Sequence, residues 1–82
     1  MSEETRNAEQ LAQDYTAMGH SVDLINGIID GSRMADETQE EKNDCVDRNV
    51  RHLEIMVAKE DWGSEDMTPS NDAITAGKAY IA

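Results

Sequence analysis

The chain has no phenylalanine, one tryptophan and two tyrosines, so any core must be assembled from Leu, Ile, Val, Met and Ala. Such a core is thin. A chain of 82 residues buries only about 60–65% of its unfolded surface, and domains of this size usually lean on disulfides, metal or self-association. Cys45 is the single cysteine, which excludes an internal disulfide framework and fits a reducing compartment. The longest apolar runs, such as Ile55-Met56-Val57-Ala58, fall far short of the roughly 20 residues that cross a bilayer. The opening "MSEETRNAEQ" has neither the apolar stretch of a signal peptide nor the basic character of a transit peptide. A soluble, cytoplasmic protein with no membrane association is expected.

Basic residues are also scarce. Seven Lys and Arg stand against eighteen Asp and Glu, for a net charge of −11. A surface of that sign repels phosphate, so direct nucleic-acid binding and docking on anionic membranes are not expected. Basic partners and simple solvation both remain open.

What the sequence does contain is helical periodicity. Ala8, Leu11, Tyr15, Met18, Val22, Ile25 and Ile29 follow one another in alternating steps of three and four, the seam of a helix packed along its length. The pattern predicts one helix over about residues 3–30. Ser2 is its expected N-cap, Glu3 and Glu4 lie in its first turn, and Gly31 is its C′ residue. Gly19 and Gly27 each cost such a helix about 1 kcal/mol relative to Ala, and close approach of another backbone would account for them.

A second helix is expected to begin between Ser32 and Thr38, where Asp36–Gln39 and Thr38–Glu41 both have capping-box spacing, and to end near Trp62, before Gly63. Val46, Val50, Leu53 and Val57 form its seam, with Cys45, Asn49, His52 and Met56 alongside. Asp44 with Arg48 and Asp47 with Arg51 are favourable i,i+4 pairs. A short connection makes these two helices an antiparallel hairpin. "DMTPSNDAITAGKAYIA" supplies a third, shorter helix with Thr68 as N-cap and Pro69 in its first position. Its apolar surface is too small for it to be helical alone, so it is expected to fold over Ile55 and Trp62 on the far side of the second helix. The predicted fold is all-α, a single small helical domain over residues 1–82: an antiparallel helical hairpin plus a short C-terminal helix.

A tight turn sets Leu11, Tyr15 and Met18 opposite Leu53, Val50 and Val46. It sets Val22, Ile25 and Ile29 opposite Lys42, Gln39 and Ala35, which cannot cover them. With Ile28 beside them, these residues form an apolar strip without an intramolecular partner, and such strips mark interfaces. Val22, Ile25, Ile28 and Ile29 are therefore the expected contact surface of a homodimer with a helical-bundle core. A different protein in the groove, or an irregular register that hides the strip, are the alternatives.

Little in the sequence suggests catalysis. His20, Cys45 and His52 are the nitrogen and sulfur ligand candidates besides methionine, but no CxxC, HxxxH or HExxH spacing occurs. Asn49 stands where a di-iron bundle needs the Glu of its Glu-x-x-His motif. Cys45 and His52, seven residues apart on one helix, are separated by about 10 Å. "TAGK" lacks the first glycine of a phosphate loop, and "DGSRMADETQEE" lacks EF-hand spacing. No enzyme, metal or cofactor is expected. The acids Asp36, Glu37, Glu40, Glu41, Asp44 and Asp47, with Glu60, Asp61, Glu65 and Asp66 further on, read first as solvated surface. The sharper alternative is a row of carboxylates that imitates nucleic-acid phosphates inside a basic protein groove.

The stretch from Asn49 to the C-terminus resembles the tail of small uncharacterised proteins of marine tailed phages, notably phages of cyanobacteria. His52-Leu53-Glu54, Ala58-Lys59, Trp62, Asp66-Met67-Thr68, Ala73-Ile74, Gly77 and Tyr80-Ile81 carry the likeness. It implies a viral origin and the host cytoplasm, with no activity or site residues to transfer. The expected function is that of a non-enzymatic accessory protein working through protein–protein interaction and self-association. The alternative is an acidic nucleic-acid mimic that inhibits a nucleic-acid-binding protein.

Overall fold

Asn7 opens the first helix. Its side chain accepts from the Gln10 N–H at 2.8 Å while the Gln10 side chain accepts from the Asn7 N–H at 3.3 Å, a reciprocal cap that fixes the start of α1 (Ala8–Asp30). The computed structural model describes residues 6–82, so Ser2, Glu3 and Glu4 lie outside the described residues. α1 continues through Gly19 and Gly27 to Gly31, whose φ of 87° ends the helix in the left-handed conformation that glycine adopts freely.

Of the two capping boxes available in sequence, Thr38–Glu41 forms. The Glu41 N–H donates to the Thr38 hydroxyl and the Thr38 N–H to the Glu41 carboxylate, both at 3.1 Å, and α2 runs over Gln39–Val57. It stops short of the expected end near Trp62 because Trp62 turns back on it. The indole Nε1–H donates to the Met56 carbonyl at 2.7 Å, occupying an acceptor that the helix end exposes. α3 (Thr68–Ile81) begins one residue earlier than expected, with Pro69 in its first turn and the Thr68 N–H held by the Asp66 carboxylate at 3.0 Å. The described residues are all-helical, with no strand.

The register of the hairpin differs from the one a tight turn gives. Ser21 would then face Asn43; it hydrogen-bonds His52 instead, about two and a half helical turns further along. The reason lies in the connection Gly31–Thr38. The Ser32 and Arg33 N–H groups both fold back onto the Gly27 carbonyl, and Met34 adopts a left-handed φ of 54°, so this segment is a built loop rather than a tight turn.

That shift corrects two expectations. α3 does not fold over Ile55 and Trp62. It returns antiparallel to α2 and beds against both other helices, where Gly77 lies against Val50, Val46 and Ile25 and the Gln39 side chain donates to the Tyr80 hydroxyl. Ile55 is left 63% exposed, and Trp62 is covered instead by Tyr15 and Arg6. The turn-end strip, in turn, is not free. Ile25 is wholly buried and Ile28 nearly so, Val22 is half-buried, and Ile29 alone of the four is exposed, at 39%. Ile25 and Ile28 join Met18, Val46, Val50, Leu53, Met56, Trp62 and Ala73 in one core.

Candidate functional site

The six acids predicted to form a surface lie at the turn end and along α2, but they do not act alike. The Glu41 carboxyl is held below its ordinary range by the Thr38 N–H and hydroxyl, as the capping box requires. Asp44 pairs with Arg48 at 2.8 Å and Asp47 with Arg51 at 2.9 Å. Asp36, Glu37 and Glu40 are exposed and form no salt bridge among the described residues. Arg48 and Arg51, both more than two-thirds exposed, interrupt the anionic row along α2 with positive charge.

The ligand candidates do not converge. His20 is exposed on α1, and the half-buried Cys45 receives a long contact from the Asn49 side chain at 3.6 Å. His52 Nδ1 meets the Ser21 hydroxyl at 2.9 Å. A serine–imidazole pair is the raw material of a nucleophile, yet Ser21 is only 6% exposed, so a substrate has no approach to it. The pair acts as a polar tie across the α1–α2 seam. Among the described residues no group of three or more His, Cys, Asp or Glu side chains is placed to hold a metal ion, and no helix is long and apolar enough to cross a membrane.

The most organised polar cluster joins the two ends of the hairpin and has no local trace in the sequence. The Arg6 guanidinium donates to Asp61 through Nε at 2.9 Å and through Nη2, and to Asp14 through Nη1 at 2.6 Å. Its carbon centre lies 4.3 Å from the Trp62 ring centroid, and Tyr15 meets the same ring edge-on at 6.1 Å. Arg6 and Asp61 are separated by 55 positions, beyond the reach of any periodicity. The Arg6 hydrogen bond holds the Asp61 carboxyl at about 2, well below its ordinary 3.8, and the two acids raise the Arg6 guanidinium further above its already high value.

The lowered carboxyl makes the cluster acid-sensitive. A depressed folded-state pKa contributes stability that is complete above the unfolded value and disappears as the pH falls through the folded one. Wild-type protein is therefore expected to be more stable than Asp61→Asn at neutral pH, with the difference closing between about pH 4 and about pH 2. Urea denaturation of both proteins across that range measures it. A difference that persists unchanged at the acid end would contradict the assignment.

A half-open cavity of about 250 Å³ lies between α1 and the start of α3. Tyr15, Met18, Gly19, Val22 and Asp23 line it from α1, and Pro69 is among the residues that close it from α3. Tyr15 is a fixed wall, because its hydroxyl donates to the Asp66 carbonyl at 2.8 Å while its ring abuts Trp62.

No protein-family model matches the chain, and no curated protein or solved structure matches it either.

Proposed function

We propose that this is a non-enzymatic acidic accessory protein that acts by binding a basic protein partner. The observation that carries this reading is the division of labour among the side chains. The large apolar residues lie in the core or are packed partly buried against it, with Ile29 and Ile55 exposed, while Asp36, Glu37 and Glu40 stand at the turn end without ionic partners among the described residues. Self-association through the turn-end strip is the weaker form of the proposal, since Ile25 and Ile28 already lie inside the core and only Ile29 and the edge of Val22 are left to bury. Nucleic-acid mimicry is the runner-up; the interleaved Arg48 and Arg51 spoil a continuous row of carboxylates. The C-terminal resemblance to marine phage proteins supports a viral origin and action in the host cytoplasm.

The test is affinity capture from host-type extract with wild-type protein and with the Asp36→Asn, Glu37→Gln, Glu40→Gln triple variant, each in low and high salt. Those three acids are chosen because Glu41, Asp44 and Asp47 also serve the local structure. Screening lengths shrink from about 10 Å at 0.1 M salt to about 3 Å at 1 M, so a partner held by charge is lost in high salt and lost with the triple variant. Capture that survives both changes would sink the reading.

A further inference from the structure

Gly19 lies in the middle of α1, and nothing in the fold requires a glycine there. Gly77 and Gly27 are crowded by neighbouring side chains, and Gly31 and Gly63 have positive φ. A Cβ at Gly19 would meet no atom within 4 Å, and its φ is ordinary. A glycine inside a helix destabilises it relative to alanine, so the fold gains nothing from the missing side chain. What lies beside Gly19 is the cavity of about 250 Å³.

The chemistry of that cavity is specific. The Tyr15 ring is held in place through its hydroxyl and through Trp62, and Val22 and Pro69 supply further apolar surface above the buried Met18. Asp23 is the one charged side chain in the lining; it is exposed and forms no salt bridge among the described residues. A cavity of about 150 Å³ accommodates benzene, and drug-sized ligands need about 300–1,000 Å³. The available volume of about 250 Å³ therefore suits a single ring with a short chain. The net charge of −11 concentrates cations at the surface and repels anions.

We propose that this cavity binds a small organic cation of the arylalkylammonium class, with the ring against Tyr15, Met18, Val22 and Pro69, the ammonium at Asp23, and Gly19 bare so that the ring can enter. The site is independent of the turn-end acids and of the basic-partner reading.

The experiment is an amide NMR titration of the intact chain with phenethylammonium, and with 3-phenylpropionate as the probe of opposite charge and similar shape. For so small a ligand the expected dissociation constant is on the order of 1 mM. Saturable shifts should centre on Gly19, Val22, Asp23 and Ser70, the last lining the cavity beside Pro69, with 3-phenylpropionate at least about tenfold weaker. Asp23→Asn should remove that preference. Gly19→Ala should raise Tm by about 4 °C or more and yet weaken phenethylammonium severalfold. Shifts that do not saturate or that map elsewhere would overturn the site. Equal binding of the two probes, or undiminished binding to Gly19→Ala, would overturn it too.

Discussion

Replacing Trp62 with alanine should remove about 3–5 kcal/mol of stability, the range for deleting a buried aromatic side chain. Small domains are held by about 0.05–0.15 kcal/mol per residue, so the loss takes a large share of this chain's stability and, at the low end of that range, all of it. The size of the effect follows from what the ring joins. It is 7% exposed; its N–H closes the end of α2 on the Met56 carbonyl; Tyr15 of α1 packs on its edge; and Arg6, tied to Asp61 and Asp14, covers its face. Two stretches that are distant in sequence, residues 6–15 and 56–62, lose their common support at once. Trp62→Phe keeps most of the apolar contact and loses the N–H, and should cost about 1 kcal/mol, because Met56 still accepts from the Lys59 N–H. Urea denaturation followed by circular dichroism, which does not depend on the indole, measures both. A Trp62→Ala variant within about 1 kcal/mol of wild type would mean that the clasp only decorates the hairpin.

That cluster also marks the boundary of what the sequence could reveal. The seam from Ala8 to Ile29 is local, and α1 follows it through Gly19 to Asp30. Thr38 with Glu41, Gly31 and Pro69 are likewise local signals, and each stands at the helix end it suggested. The length of the connection is a different kind of quantity. Asp36–Gln39 and Thr38–Glu41 have equal spacing on paper, and choosing between them depends on how Ser32, Arg33 and Met34 fold back on the end of α1. A few residues of difference there move every pair across the hairpin. Ile25 and Ile28, which face polar residues across a tight turn, thereby come to lie in the core. Ile55 was expected beneath α3 and is exposed for the same reason. An apolar run such as "LEIMVA" says that a helix is covered on several sides, but the tertiary register decides which element covers which side. The local partners of the acids were legible too: Asp44 with Arg48, Asp47 with Arg51 and Glu41 with Thr38 stand at helical spacings that the sequence shows, and all three form.

Gly19 and Gly77 both lie inside helices and are told apart by the same geometry, and Gly77→Val is the sharpest test of it. A Cβ on Gly77 would lie 2.5 Å from Val50 Cγ2, 3.1 Å from Val46 Cγ1 and 3.5 Å from Ile25 Cγ2. These neighbours are β-branched and stiff about χ1, so they cannot swing aside. Valine adds two further methyl groups to a space that does not admit the first carbon. Overpacking of this kind costs about 1–3 kcal/mol and sometimes more, and the helix-propensity gain of valine over glycine returns only about 0.3–0.5 kcal/mol. A net loss of about 2 kcal/mol or more is expected. It should fall first on α3, because a helix of 14 residues is marginal without docking. Helical signal should therefore drop in native buffer by roughly the share that α3 contributes, before the α1–α2 hairpin melts. Gly19→Ala at the open cavity should move stability in the opposite direction. If Gly77→Val left both the helical signal and the urea midpoint unchanged, α3 would not be bedded between α1 and α2. The burial of Ile25 would then need another explanation, and the turn-end strip would return as a free surface.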